Sequence, residues 1–447
     1  MNLVVELTKY IMILLIGIYT YYSFNVFRYK SKKRQERAYI MLTFIIFFLH
    51  FTGYFTLFVQ SVNYKLVFLY GSEVGLFLLI LILYRIFYPK MSKLLLRNML
   101  MLLTIGFIIL ARLSFDKAVR QVAIVGAAFL VCLFVPYAVK NFLWLRRFGL
   151  IYGVLGIGML LIVLVAGTTN YGATNWLNIG GIILQPSEIV KLLFVFSIAA
   201  MFHKETGFIR ICAITIMAGA NVIILVFQKD LGGALIFFVT YVFMLFAATL
   251  KPLYLLAGLA SGSVASYFAY QLFYHVRVRV MAWQNPLKFI DNEGFQISQS
   301  LFAIGTGGWF GMGLNRGLPT SIPVVDSDFI FSAISEELGG LFAICTILIF
   351  ISCFIMFINI ALEQEDSFYR LLSLGFSVLL GFQIILSIGG VIKFIPSTGV
   401  TLPLVSYGGS SVFATILMFM ILQGIYLKGK ADKKTDNETV AAKSEGF

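Results

Sequence analysis

The chain is 447 residues long, 60% hydrophobic and 12% charged, with a net charge of +14. A soluble domain carries about 25% charged residues, so the composition excludes a soluble enzyme, and the positive balance reads as the loop bias of a membrane protein rather than nucleic-acid binding. The four cysteines all fall inside apolar runs and the three histidines are scattered, which gives neither a disulfide framework nor a zinc spacing.

Apolar runs of about 20 residues, each enough to cross a bilayer as a helix, recur along the chain. The predicted spans are 3–24, 38–60, 66–88, 96–113, 120–139, 148–167, 186–203, 207–227, 231–249, 252–273, 329–360, 369–391 and 404–427. The fold class is all-α, a polytopic membrane protein of about thirteen transmembrane helices. A membrane barrel would need roughly ten-residue alternating segments, which are absent. The first run has no basic region before it and no small-x-small site after it, so it reads as a retained helix. From Gly429 the sequence turns polar and rich in small residues, and a disordered tail is expected over 429–447.

Basic clusters set an orientation. Lys30, Lys32, Lys33, Arg34 and Arg37 fall between the first two spans, and the loops holding Lys90 and Lys93, Arg146 and Arg147, and Lys204 and Arg210 follow in alternation. Basic residues favour the cytoplasmic side. This places the N-terminus outside, the C-terminus in the cytoplasm, and the loops near 168–184 and 274–328 outside.

One polar stretch, Tyr274 to Glu337, stands out in the apolar chain. It holds Arg277, Arg279, Lys288 and Arg316 together with Asp291, Glu293, Asp326, Asp328, Glu336 and Glu337. Ionisable groups persist at a membrane where water, a partner charge or a charged substrate meets them. Two readings stand for the basic set: pairing with the nearby acids, or binding of an anion on the outer face. Asp291 lies in a loop-forming context, where a carboxylate could serve as general base toward a sugar hydroxyl or hold a divalent cation beside a phosphate. The run Gly305–Gly313 fits neither dinucleotide nor P-loop spacing, which disfavours nucleotide binding.

Three further segments carry polar groups at span ends. Pro186 suits a first helical turn, and Glu188 and Lys191, three apart, share a helix face. They form either a mutual ion pair or the wall of an outward cavity. Asp230 sits where a helix begins and suits the positive end of its dipole. Pro396 to Ser411 reads as a re-entrant turn, and irregular backbone at that depth implies a protein-lined or wet cavity.

Taken together, NWLNIGGIILQPSEIVK, QKDLGGALIFF, GFQISQSLFAIGTGGWFGMGL, DSDFIFSAISEELG and IPSTGVTLPLVSYGGSS occur in one order across residues 96–427. In this the chain resembles the SEDS family, the RodA, FtsW and SpoVE type of bacterial cell-wall polymerase. The resemblance implies a ten-helix core over 93–428 with a large extracytoplasmic loop, preceded by a three-helix membrane extension over 1–92. It implies a peptidoglycan glycosyltransferase in the cytoplasmic (inner) membrane, which polymerises the lipid-linked precursor lipid II for cell shape, division or sporulation. The implied partners are a class B penicillin-binding protein and other cell-wall synthesis membrane proteins.

The resemblance also implies a catalytic aspartate in the outer loop. Counting without gaps from Asn285-Pro286, that position falls on Phe289, and Asp291 is the nearest carboxylate to take the role. Arg277 and Arg279, with Mg²⁺ or Mn²⁺ as a further expectation, would hold the leaving diphosphate. Glu188, Lys191, Asp230, Gln296, Asp328, Glu337 and Ser410 would line the substrate cavity. Smaller departures are Asn175, Lys229, Asp326 and Ser387, where the family pattern has other residues. The alternatives are a transporter that flips the lipid-linked precursor and a non-catalytic scaffold for a penicillin-binding protein, the second favoured by Phe289.

Overall fold

A computed structural model describes residues 2–170, 173–204 and 206–444. The helices are α1 (Asn2–Arg28), α2 (Lys32–Ser61), α3 (Tyr64–Phe87), α4 (Lys93–Leu113), α5 (Phe115–Val131), α6 (Val135–Asn141), α7 (Gly149–Ala166), α8 (Pro186–Lys204), α9 (Phe208–Phe227) and α10 (Leu231–Thr249). They continue as α11 (Pro252–Leu272), α12 (Tyr274–Gln284), α13 (Phe295–Gly307), α14 (Ile330–Leu362), α15 (Ser367–Val391) and α16 (Gly409–Ser444). Among the described residues, 13 helical segments are long and apolar enough to cross a membrane. A 3₁₀ turn at Cys132–Phe134 joins α5 to α6 within one of them. The chain is a multi-pass helical membrane protein.

Each expected span has its helix, and the differences lie between spans. The segment 168–184, read as a plain loop, is an antiparallel sheet of β1 (Thr168–Asn170), β2 (Ala173–Ile179) and β3 (Ile182–Leu184), with Thr169 opposite Thr174 and Leu177 opposite Leu184. Gly180 and Gly181 both have positive φ, 59° and 87°. A two-residue hairpin turn of matching twist requires that conformation, and glycine adopts it without strain. At the other end α16 is helical from Gly409 to Ser444 and so runs into the polar segment that begins at Gly429. Lys428 pairs with Asp432 one turn on, and Lys433 reaches Glu363, so the start of this extension is held by charge.

The core is built around α4, which is buried along almost its whole length. α14 and α5 pack directly on it, and α8, α10 and α15 form a second packed group. Gly106 lets α4 approach the 396–408 turn closely: a Cβ there would come within 2.6 Å of the Val405 carbonyl oxygen. α11 has no buried residue and contacts α10 through Gly258 and Gly262, so most of its surface faces lipid.

The first three helices dock on the core rather than standing apart. α1 packs on α14, α2 on α4 and α3 on α5. Asn98 of α4 closes a buried polar seam: Tyr19 Oη and Ser23 Oγ donate to its Oδ1 at 3.0 and 3.2 Å, and its Nδ2 donates to Ser352 Oγ at 2.9 Å. Within the extension, His50 and Tyr54 meet the Glu73 carboxylate at 2.6 and 2.7 Å. An unpaired polar group at such depth is costly, so these bonds fix the register of α1, α2 and α3.

α14 is two helices joined at Gly339, whose φ of 88° and ψ of 167° are not helical. The Gly308–Gly313 backbone runs against this kink. Gly340 N donates to Gly308 O at 2.8 Å, and Met312 N and Gly313 N donate to the carbonyls of Glu336 and Glu337, each at 2.9 Å. The kink carbonyls, freed from the helix ladder, find partners in the glycine-rich run. A Cβ on Gly339 would lie 2.4 Å from Gly311 N. Gly339→Ala is therefore expected to cost at least about 1–3 kcal/mol in backbone strain alone. The loss should be read as a lower melting temperature and a smaller monodisperse yield.

Candidate functional site

At one membrane face, hereafter the loop face, the ends of α8, α10, α14 and α15 surround a polar group roofed by α12 and the 392–408 turn. Helix starts place its acids. Asp230 caps α10, its Oδ1 accepting from Gly233 N at 2.9 Å, as an acid at the positive end of a helix should. Asn175 of β2 donates to the other oxygen, Oδ2, at 3.3 Å. Asp328 stands two residues before α14, and its Oδ2 faces the backbone of Gly399.

Arg279 comes down from α12 toward both acids. Its guanidinium reaches Ser397 O at 3.5 Å and interacts electrostatically with Asp230 and Asp328. Arg277 is exposed. Residues two apart on a helix point about 200° away from one another, so α12 can send only one of the two arginines inward. Trp283 Nε1 donates to Lys393 O at 3.1 Å and anchors α12 on the turn.

A second cluster adjoins the first. Lys191 is buried on α8, pairs with Glu188 at 2.6 Å and donates to Gln383 Oε1 of α15 at 3.0 Å. Gln383 Nε2 in turn donates to Thr401 O at 3.2 Å. Ser410 Oγ accepts from Gln185 N at 3.0 Å at the start of α8. Thr398 Oγ1 is buried with no hydrogen-bond partner among the described residues, and a buried hydroxyl ordinarily has one.

Burial sets the electrostatics. It pushes the Asp328 carboxyl up to about 6, against the opposing pull of a Ser327 hydrogen bond and of Arg279. It also raises Asp230 above the ordinary carboxylate range, although the Gly233 amide, Asn175 and Arg279 favour the charged form. Arg279 is lowered by the same burial, with Asp230 and Asp328 acting the other way. A carboxyl near neutrality beside a guanidinium can accept a proton while the cation holds an anionic group.

Of the residues expected to line a cavity, Glu188, Lys191, Asp230, Arg279, Asp328 and Ser410 come together here. Gln296 is half-buried in the first turn of α13. Two expectations change. Glu337, expected to meet substrate, is fully buried and pairs with Arg112 of α4 at 2.9 Å, behind the Gly313–Leu318 loop. It follows Asp328 by nine positions, about 13 Å along a helix. Asp291 is exposed on the turn after the Pro286–Phe289 3₁₀ segment, with no hydrogen bond or ion pair to any described residue, whereas Phe289 is half-buried. Gln383 and Thr398 were missed. A lone glutamine inside an apolar span was the available signal for the first.

Fold and site together define a helical membrane protein that gathers charged and polar side chains at one end of its helix bundle. The chain matches the FtsW/RodA/SpoVE family model, described as "cell cycle protein", over residues 92–430, and it belongs to that family. It is 33% identical over 305 residues to the peptidoglycan glycosyltransferase RodA of Mycobacterium tuberculosis, a match covering 64% of this chain and 65% of that one. RodA of Mycobacterium leprae is 32% identical over 369 residues, 76% of this chain and 79% of the relative. The match thus spans just under two thirds of the length of the first of these relatives. Among solved structures, a chain of a peptidoglycan synthase complex aligns with a TM-score of 0.64 at 24% identity, covering 76% of this chain and 98% of that chain. The rod shape determining protein RodA of Thermus thermophilus aligns at 0.57 and 23%, covering 76% and 97%. These two likenesses concern the fold.

Proposed function

We propose that this protein is a peptidoglycan glycosyltransferase that extends glycan strands from lipid II at the outer face of the cytoplasmic membrane. The observation that carries the chemistry is Arg279 on α12, held over the 392–408 turn by its reach to Ser397 O and interacting electrostatically with two half-buried acids, Asp230 and Asp328. Asp328 takes the general-base role first expected of Asp291. Its carboxylate accepts the proton of the acceptor sugar 4-hydroxyl as that oxygen bonds to the donor's anomeric carbon. The bond from that carbon to the diphosphate breaks, and undecaprenyl pyrophosphate leaves with the electron pair. Arg279 faces the charge that develops on the diphosphate. In this reading Asp230, Glu188, Lys191 and Ser410 line the substrate site, and Arg277 and Gln296 are further candidates for substrate contact.

Among the described residues no three His, Cys, Asp or Glu side chains converge as a metal site. A Mg²⁺ or Mn²⁺ ion would have to draw most of its ligands from the substrate phosphates and water, and no step is assigned to it. The basic clusters around Lys30–Arg37 and at Lys428–Lys434 support a cytoplasmic C-terminus and an outer N-terminus. A class B penicillin-binding protein is the proposed partner, by analogy with the synthase complex whose chain shares the fold.

The test is reconstitution of the purified protein with its penicillin-binding protein, lipid II and Mg²⁺ or Mn²⁺, read as glycan polymer. Polymer that disappears in Asp328→Asn supports the reading. Polymer lost in Asp291→Ala but kept in Asp328→Asn returns the base role to Asp291. Wild-type protein that makes no polymer yet binds its partner favours the scaffold, as Phe289 suggests, whereas lipid II translocation in liposomes without polymer favours a transporter.

A further inference from the structure

The proposed reaction makes no use of α1, α2 and α3. The ends of α1 and α2 at the loop face nonetheless reach beyond their own packing, to the loop between α13 and α14. Arg316 Nη1 donates to Glu6 Oε1 of α1 at 3.1 Å, and Glu6 also pairs with Lys9 at 2.8 Å. Gln60 Nε2 of α2 donates to Leu314 O at 2.7 Å. Gly313, at φ 98°, lies against α1, where a Cβ would come within 3.0 Å of Val5 Cγ1.

The same loop is tied on its other side to the kink of α14. Met312 N and Gly313 N bond the Glu336 and Glu337 carbonyls at 2.9 Å, Leu318 N donates to Glu336 Oε1 at 2.8 Å, and Arg112 Nη2 donates to Gly317 O at 3.2 Å. The half-helix that ends at this kink begins two residues after Asp328. A continuous set of hydrogen bonds therefore runs from α1 and α2 through the loop to the segment that carries the proposed base. The Asn98 seam and the Gln60 and Glu6 bonds hold the extension at two depths, so it can act as a rigid support.

We propose that α1–α3 are a built-in positioning element: Glu6 and Gln60 hold the Met312–Leu318 loop against the α14 kink and so fix the half-helix behind Asp328. Both are positioning residues and touch no reacting atom. The catalytic consequence rests on the proposed transferase reaction; the structural part does not.

The test uses the full-length protein in lipid nanodiscs and hydrogen–deuterium exchange of peptides covering 308–318. Gln60→Ala combined with Glu6→Gln should speed exchange of the Met312 and Gly313 amides by roughly tenfold, the equivalent of one hydrogen bond's net worth. Peptides from α4 and α8 should stay unchanged, which reports an intact fold. Gln60→Ala alone should give a smaller rise in the same peptides and serves if the pair of changes unfolds the chain. Restored protection in Glu6→Arg with Arg316→Glu would support the contact directly. In polymerisation, kcat should fall while KM for the lipid substrate holds. Unaltered loop exchange overturns the proposal, and faster exchange with unaltered kcat overturns the link to Asp328. If the wild-type protein makes no polymer, the functional reading fails, and the exchange comparison still decides whether the extension holds the loop.

Discussion

Asp328→Asn should lower the polymerisation rate by about 10²–10⁴-fold, the usual worth of a positioned general base, and leave the fold intact because asparagine fills the same space. The wild-type rate should rise with pH through a limb near 6 and level off above it. The sign follows from the chemistry: only the ionised carboxylate accepts the hydroxyl proton, and burial has pushed this carboxyl up to about 6. Arg279 favours the charged form of Asp328, so Arg279→Gln should move the limb to higher pH as well as slow the reaction. Stability has the opposite slope. A carboxyl raised from 3.8 to about 6 keeps its proton in the folded chain after the unfolded chain has lost it. Asp328's contribution is therefore full below the unfolded value and is lost as pH rises through about 6. Rate and stability measured across pH 4–8 (roughly the span of these two values) should thus diverge. A limb that persists unshifted in Arg279→Gln would separate Asp328 from the rate-limiting proton transfer.

The membrane helices were legible because nothing in a bilayer competes with a run of about 20 apolar residues. What lies between them was less so, and for identifiable reasons. The β2–β3 hairpin is announced by Gly180-Gly181 between β-branched neighbours, a two-residue turn signal, but its strands are short and the surrounding loop reads as polar coil. The break at Gly339 depends on backbone partners from the glycine-rich run 308–313, which no local pattern reveals. Arg277 and Arg279 looked equivalent until a helix put two-residue spacing on opposite sides. The resemblance pointed to residues near Phe289 for the base, and counting along the chain then chose Asp291. The proposal moves that role to Asp328, because α14, the 396–408 turn and α12 approach Asp328, whose neighbours in sequence give no hint of that arrangement. An acid in an apolar run has two stable outcomes, a wet cavity or a buried partner. Glu337 took the second, with an arginine 225 positions away.

That pair carries the largest stability effect expected outside the site. Arg112 Nε meets Glu337 Oε1 at 2.9 Å, with the Glu337 side chain 1% exposed and that of Arg112 14%. Removing one partner from a buried pair leaves an uncompensated charge and typically costs about 3–5 kcal/mol, whereas replacing both with apolar groups is often close to neutral. Arg112→Leu should therefore lower the melting temperature sharply. Arg112→Leu with Glu337→Leu should recover most of the loss, but not all, since Gly317 O forfeits the bond from Arg112 Nη2. Non-additivity of this size marks a direct interaction. If the two single changes instead added, Glu337 would be answering to water or to a guest, and it would belong with the cavity residues after all. The same cycle bears on the α1–α3 support. Arg112 and Glu337 bound the loop from the core side, while Glu6 and Gln60 bound it from the extension. Loosening either side should speed exchange at Met312 and Gly313, but only the Arg112 and Glu337 changes should lower the melting temperature by several degrees, because only they remove a buried charge's partner.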